Sequence, residues 1–172
     1  MLKTSDLLKM FGTIANTGTI RFERLCPAPI ELVWDYLTRS ELLGKWLASG
    51  EIQMQVGGSV ELHFNIGTSL GYAISSRDIR GFVTHCHPPD SLAYYITDSI
   101  EISNVVFELE RRGKEVWLLV THAKLPKSVL ATCGASWHAH LDMLIEQLQN
   151  QSPTPFDVLY ESVVPHYERL VL

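Results

Sequence analysis

Between Pro27 and Asn65 the chain reads PAPIELVWDYLTRSELLGKWLASGEIQMQVGGSVELHFN. Pro29 suits the first turn of a helix, where its missing N–H removes no bond. Ile30, Val33, Trp34 and Leu37 then recur at helical spacing, and Thr38 to Ser40 break the run. Glu41 to Leu47 reads as a second short helix with Leu42, Leu43, Trp46 and Leu47 on its apolar side. Glu51 to Val56 alternates, Gly57-Gly58 turns, and Ser59 to Asn65 alternates again with Val60, Leu62 and Phe64 on one face. Two alternating runs joined by Gly-Gly predict a hairpin. Two helices followed at once by a hairpin exclude most common layouts. They point to a sheet wrapped around a long helix, a shape suited to holding something apolar.

The flanking sequence supplies the rest of that shape. Residues 1–17 read as a lead-in with a turn of helix through Leu7, Leu8 and Phe11, and Thr19 to Leu25 alternates as a first strand. Further strands are expected over Ile79 to Cys86, Leu92 to Thr97, Val105 to Glu110 and Glu115 to His122. Pro88-Pro89-Asp90, Asp98 to Asn104 and Arg111 to Lys114 make the turns. About seven consecutive, hairpin-joined strands imply an antiparallel sheet. After Ser128, a plausible N-cap, the period changes: Trp137, Leu141, Leu144, Ile145 and Leu148 form one broad stripe of a long helix. Ser152-Pro153-Thr154-Pro155 ends it, and a tail helix through Val158, Leu159 and Val163 is expected to be interrupted at Pro165. One domain is expected over residues 1–172, with a core at 19–150 and a tail at 153–172.

Composition removes several function classes. Net charge is −5, and no run of Lys or Arg exceeds Arg111-Arg112, so a nucleic-acid partner, which needs a basic face, is not expected. No apolar run approaches the ~18 residues of a membrane helix, and the N-terminus lacks the pattern of a secretory signal. Three cysteines, Cys26, Cys86 and Cys133, lie far apart without a CxxC. They suit a reducing compartment, and a cytoplasmic location is the expectation.

The sequence offers candidates for chemistry but no established motif. His85 and His87, two apart on a strand, share a face, whereas His138 and His140 on a helix point in roughly opposite directions. His63 and His122 fall on other strands. No HExxH or CxxC spacing appears, so no metal and no cofactor are expected. Glu61, His63 or Asp142 would qualify as an acid or base inside a cavity. Glu61 and His63, however, alternate against Val60, Leu62 and Phe64, which should take the inner face. Cys133 near His138 and His140 has a poor helical spacing for a nucleophile. No catalytic residue is assigned.

The β-α-α-β₆-α order resembles the helix-grip fold, an α+β architecture of the START and Bet v 1 superfamily. More narrowly, PAPIELVWDYLT, ELLGKWL and VGGSVELHF resemble the AHSA-like family, named for the activator of the heat-shock protein 90 ATPase. Arg80-Gly81-Phe82-Val83, Pro88-Pro89, Leu92-Ala93-Tyr94, Val106-Phe107-Glu108-Leu109 and Ser136 to Asp142 follow in the family's order, from about Thr19 to Gln149. Glu115-Val116-Trp117 and Ser136 depart from the family's usual Gly-Thr and Gly-Trp. The resemblance implies a curved sheet gripping a long helix, with no shared catalytic motif.

The four tryptophans, Trp34, Trp46, Trp117 and Trp137, suit a core, yet indoles bordering a cavity supply both stacking area and a donor. Trp137 and Trp46 are expected at the mouth, with Phe64, Tyr95, Phe107, Leu141 and Leu144 behind them. The expected function is binding of a hydrophobic small molecule between sheet and helix. The alternatives are a module assisting a chaperone ATPase and a cyclase or hydrolase acting on a held ligand. A homodimer is the one self-association considered.

Overall fold

The computed structural model describes residues 11–15, 17–64, 77–97 and 102–172. Among them, eight strands form one antiparallel sheet in the order β1-β2-β8-β7-β6-β5-β4-β3. The strands are β1 (Thr13–Ala15), β2 (Thr19–Cys26), β3 (Ser49–Ile52), β4 (Ser59–Phe64), β5 (Arg77–His87), β6 (Ser91–Thr97), β7 (Ile102–Arg112) and β8 (Glu115–Ala123). The helices are α1 (Ile30–Thr38), α2 (Ser40–Leu43), α3 (Leu130–Leu148) and α4 (Phe156–Val171). The curved sheet and long helix are those of the helix-grip fold.

The strand beyond the expected seven is β1, three residues long and therefore too short to alternate visibly. It joins β2 through Gly18, whose φ of +78° favours glycine. A Cβ there would also run into the Leu125 carbonyl oxygen. The helix turn expected through Leu7 and Leu8 lies outside the described residues, as does Asn65.

Several boundaries differ for local reasons. The hairpin of β3 and β4 closes through a longer loop than Gly57-Gly58 alone, because Gln55 N–H bonds Gln53 O and Gly58 N–H bonds Gln55 O, both at 2.8 Å. Gly57 N–H and Gly58 O then bond the Val83 carbonyl and amide, stitching the loop to β5. The second helix spans only Ser40–Leu43, after which Lys45 and Trp46 N–H reach back three residues in tighter turns. Ser128 is not the cap of α3: Lys127–Val129 form a 3₁₀ turn, and Val129 takes the cap position without a side-chain bond. α4 runs through Pro165 without ending. The ring costs that helix one backbone bond, while Val163 and Tyr167 hold it in the core.

Alternation places Phe22, Val60, Leu62, Leu92, Tyr94, Phe107, Leu118 and Val120 in the core. From α3, Trp137, Leu141, Leu144 and Leu148 join them, and Leu141 and Leu144 are 0% exposed. Burying one such leucine contributes about 1.5–3 kcal/mol. The other flank of α3 is covered by α4. Gly134 permits that approach, since a Cβ there would lie 2.8 Å from Tyr167 Cδ1.

Candidate functional site

Where the turn after α2 meets the end of β4, a pocket of about 260 Å³ opens. Backbone from Gly44 to Ser49 forms one side and the β4 residues His63 and Phe64 another. His140 and Met143 of α3 form the floor, and Phe156, the first residue of α4, completes the wall. Trp46 is fixed there by its Nε1–H, which donates to the Tyr36 carbonyl at 2.8 Å. Phe156 is placed by the preceding link: Thr154 donates its N–H and Oγ1–H to the Glu146 carboxylate at 2.6 and 2.8 Å.

His140 is the polar residue buried in this wall. Its Nδ1 lies 2.6 Å from the Trp46 carbonyl oxygen, which can only accept, so Nδ1 carries the proton. Burial pushes the imidazole down to about 4, outweighing the opposing pull of that carbonyl, and the ring is neutral at pH 7. Its Nε2 is then a bare acceptor. Among the described residues it has no hydrogen-bond partner. Phe156 and Phe64 hold the ring at centroid distances of 4.6 and 5.8 Å.

A second polar group lies inside the sheet. Trp137 Nε1–H donates to His122 Nδ1 at 3.0 Å, which leaves Nε2–H to donate to Ser103 Oγ at 2.8 Å. Cys133 Sγ lies 3.6 Å from the same Nδ1. Histidine, thiol and an orienting hydroxyl superficially resemble a nucleophilic triad. The electrostatics oppose that use. Burial, aided by the Arg77 charge, lowers His122 to about 4, and burial raises the Cys133 thiol to about 12. Both groups are held neutral, whereas an activated pair is a thiolate beside an imidazolium.

A third network ties the helices to the sheet. Gly12 N–H donates to Tyr167 Oη at 2.9 Å, and His138 Nδ1 lies 2.9 Å from the same oxygen. His138 Nε2 stands 3.3 Å from Asp142 Oδ2, whose other oxygen lies 3.5 Å from Arg24 Nη2. Asp142 therefore belongs to a partly buried ion pair with Arg24.

The residues proposed from sequence separate into three groups. Trp46 and Phe64 meet at the pocket. Phe107 packs against Trp137 at 5.9 Å and against Tyr94 at 6.0 Å, while Leu141 and Leu144 lie in the core. Tyr95 sits apart from both, between exposed Phe82 and Lys124. Its neighbour Tyr94 takes the buried position because Leu92, Tyr94 and Ile96 share one pleat. His63 is exposed and paired with Asp78 at 2.9 Å, and Glu61 is also exposed. His85 and His87 bond Ser91 and Asp90 on the surface. Among the described residues no three His, Cys, Asp or Glu side chains converge as a metal site. The sequence points to neither Met143 nor Phe156, which lie beside the apolar stripe of α3 or beyond its end, and it offers His140 only as a metal ligand or a partner for Cys133, not as a pocket residue.

An eight-stranded antiparallel sheet gripping a long helix, with a pocket at one end, defines a helix-grip protein of the START and Bet v 1 type. The chain belongs to the family described as activator of Hsp90 ATPase homolog 1-like protein, whose model matches residues 27–149. It is similar to the protein encoded by gene BPP1335 of Bordetella parapertussis, at 35% identity and a TM-score of 0.77, over 92% of this chain and 88% of that one. CalU16 from Micromonospora echinospora shares the fold at 19% identity and a TM-score of 0.69, over 94% of each chain. So does the Aha1 dimer from Colwellia psychrerythraea, at 19% identity and a TM-score of 0.59, over 76% of this chain and 95% of that one. No curated protein matches the chain significantly. Among the described residues no helix is long and apolar enough to cross a membrane.

Proposed function

We propose that this protein binds an apolar small molecule in the pocket between β4, the turn after α2, and α3. The observation that carries this reading is the wall itself: Phe64, Phe156 and the stretch from Gly44 to Ser49 border about 260 Å³, with Met143 beside them. Small-molecule sites are concave, mostly apolar, and carry few placed polar groups. A second cavity of about 250 Å³, lined by Ile14, Lys127, Leu130, Leu170 and Val171, has among the described residues neither aromatic walls nor a buried polar group. Trp46 and Phe64 are the proposed ligand contacts from the sequence. Phe107, Trp137, Leu141 and Leu144 support them from the core. With three free cysteines the cytoplasm is the proposed location.

Titration with methylnaphthalene, followed by tryptophan fluorescence, tests the reading. Saturable binding that is lost in Ala48→Phe, which fills the pocket, supports it. Absence of binding by the folded protein overturns it.

The family's description favours a second reading, in which the protein assists a chaperone ATPase. Its partner would be that ATPase, and its own state a homodimer, the state in which the Colwellia relative is described. An unchanged ATPase rate with the cognate chaperone would end this reading.

A further inference from the structure

Resting on the small-molecule reading, we infer that Glu146, which does not itself line the pocket, is a positioning residue for ligand binding: it holds the Phe156 wall in place from outside. Phe156 is the first residue of α4, yet that helix gives it little support. No side chain caps α4. Among the described residues Phe156 belongs neither to the buried core nor to the apolar side chains packed against it. Its ring meets the His140 imidazole at a centroid distance of 4.6 Å and Tyr160 at 5.6 Å. α4 is seated in the core further along, by Val163 and Tyr167.

The place of Phe156 is set instead from α3. Glu146 holds the linker through both its backbone and its side chain. Its carbonyl accepts the Gln151 N–H at 2.9 Å, and its carboxylate accepts the Thr154 N–H at 2.6 Å and the Thr154 hydroxyl at 2.8 Å. From Pro153 to Pro155 the Thr154 amide is the one backbone donor, because neither proline has an N–H. Glu146 takes that donor, and hydrogen bonds to an ionised carboxylate are roughly twice as strong as neutral ones. Only Pro155 stands between Thr154 and Phe156, with a φ of −54° that its ring keeps there. Fixing Thr154 therefore fixes Phe156. A ring held by this clamp and not by the core can be released while α4 stays seated, and a ligand then loses the aromatic face it packs on.

Methylnaphthalene titration of the wild-type protein and a set of variants tests the clamp. Glu146→Gln gives up one of the two side-chain acceptors, and Thr154→Val gives up the hydroxyl. Each should bind roughly two- to tenfold more weakly, the factor one aromatic contact supplies. Thr154→Ser keeps the hydroxyl and should bind as the wild-type protein does. In the background of Phe156→Ala, Glu146→Gln should weaken binding no further, because Glu146 acts through that ring. Tyr167→Phe loosens the fold away from the pocket and should leave affinity unchanged, which separates positioning from a general loss of stability. Thr154→Val carries the test alone if Glu146→Gln does not fold. If the wild-type protein does not bind, the proposed function fails and this inference with it. If it binds and the folded clamp variants match it, or if Glu146→Gln weakens binding equally with and without Phe156, the inference fails while the pocket reading stands.

Discussion

Tyr167 Oη lies 2.9 Å from His138 Nδ1 and receives the Gly12 amide at the same distance, so one hydroxyl joins the N-terminal segment, α3 and α4. With Nε2–H directed to Asp142, Nδ1 accepts from the tyrosine hydroxyl, and each polar group in the chain from Gly12 to Arg24 finds a partner. Tyr167→Phe keeps the ring and removes the junction. Two buried groups then lose their partner, and a loss of about 1–3 kcal/mol is expected in urea unfolding. Methylnaphthalene affinity should be unchanged, since Tyr167 is not among the residues that line the pocket.

Gly134 lets that tyrosine approach α3. A Cβ would lie 2.8 Å from Tyr167 Cδ1. Alanine is otherwise the better helix former by roughly 1 kcal/mol. The clash is expected to win, and Gly134→Ala should destabilise by about 1–3 kcal/mol, as overpacking does. In the background of Tyr167→Ala the same change should become neutral or stabilising. A double-mutant cycle measured by thermal unfolding checks this coupling.

Acid should weaken the fold before its carboxylates titrate. His122 and His140 are both lowered by burial from about 6.5 to about 4. Between those values the unfolded chain takes up protons that the native protein refuses. Stability is therefore full above pH 6.5 and falls as the pH drops toward 4, on the order of 3 kcal/mol for each group over the whole interval. Urea unfolding from pH 7.5 to pH 5 should show this slope. His140→Leu should flatten it by about half. A flat profile for the wild-type protein in that range would remove the argument that His140 is neutral.

The thiols should be slow. Burial raises Cys26 and Cys133 to about 12 and lifts Cys86 as well. The thiolate is the reactive form. Maleimide labelling of the native protein at pH 7.5 should therefore mark Cys86 first and leave Cys26 and Cys133 unmodified until unfolding. Rapid labelling of Cys133 would revive the nucleophile reading of its contact with His122.

The architecture was legible from sequence because each element announces itself by period. Val60, Leu62 and Phe64 alternate, and Trp137, Leu141, Leu144 and Leu148 repeat at helical spacing. β1 escaped because three residues carry no period. Tyr95 was preferred over Tyr94 although the pleat set by Leu92 and Ile96 selects Tyr94. His140 was the harder case. An amphipathic-helix argument assumes one buried face, whereas α3 is buried against the sheet on one side and α4 on the other. A polar residue off the stripe then reads as exposed when it is in fact interior. The tautomer of His140, and with it the unpaired acceptor, depends on a carbonyl ninety-four residues away and has no local signature.

The family model ends at residue 149, yet Phe156 forms one wall of the pocket. Among the described residues the rest of the lining lies inside that span, and Phe156 is supplied from beyond it. Exchanging the first turn of α4 would reshape the pocket while leaving the gripped helix and its sheet intact. A lineage built on this fold has in its C-terminal segment a place to change the shape of this pocket without relearning how to fold.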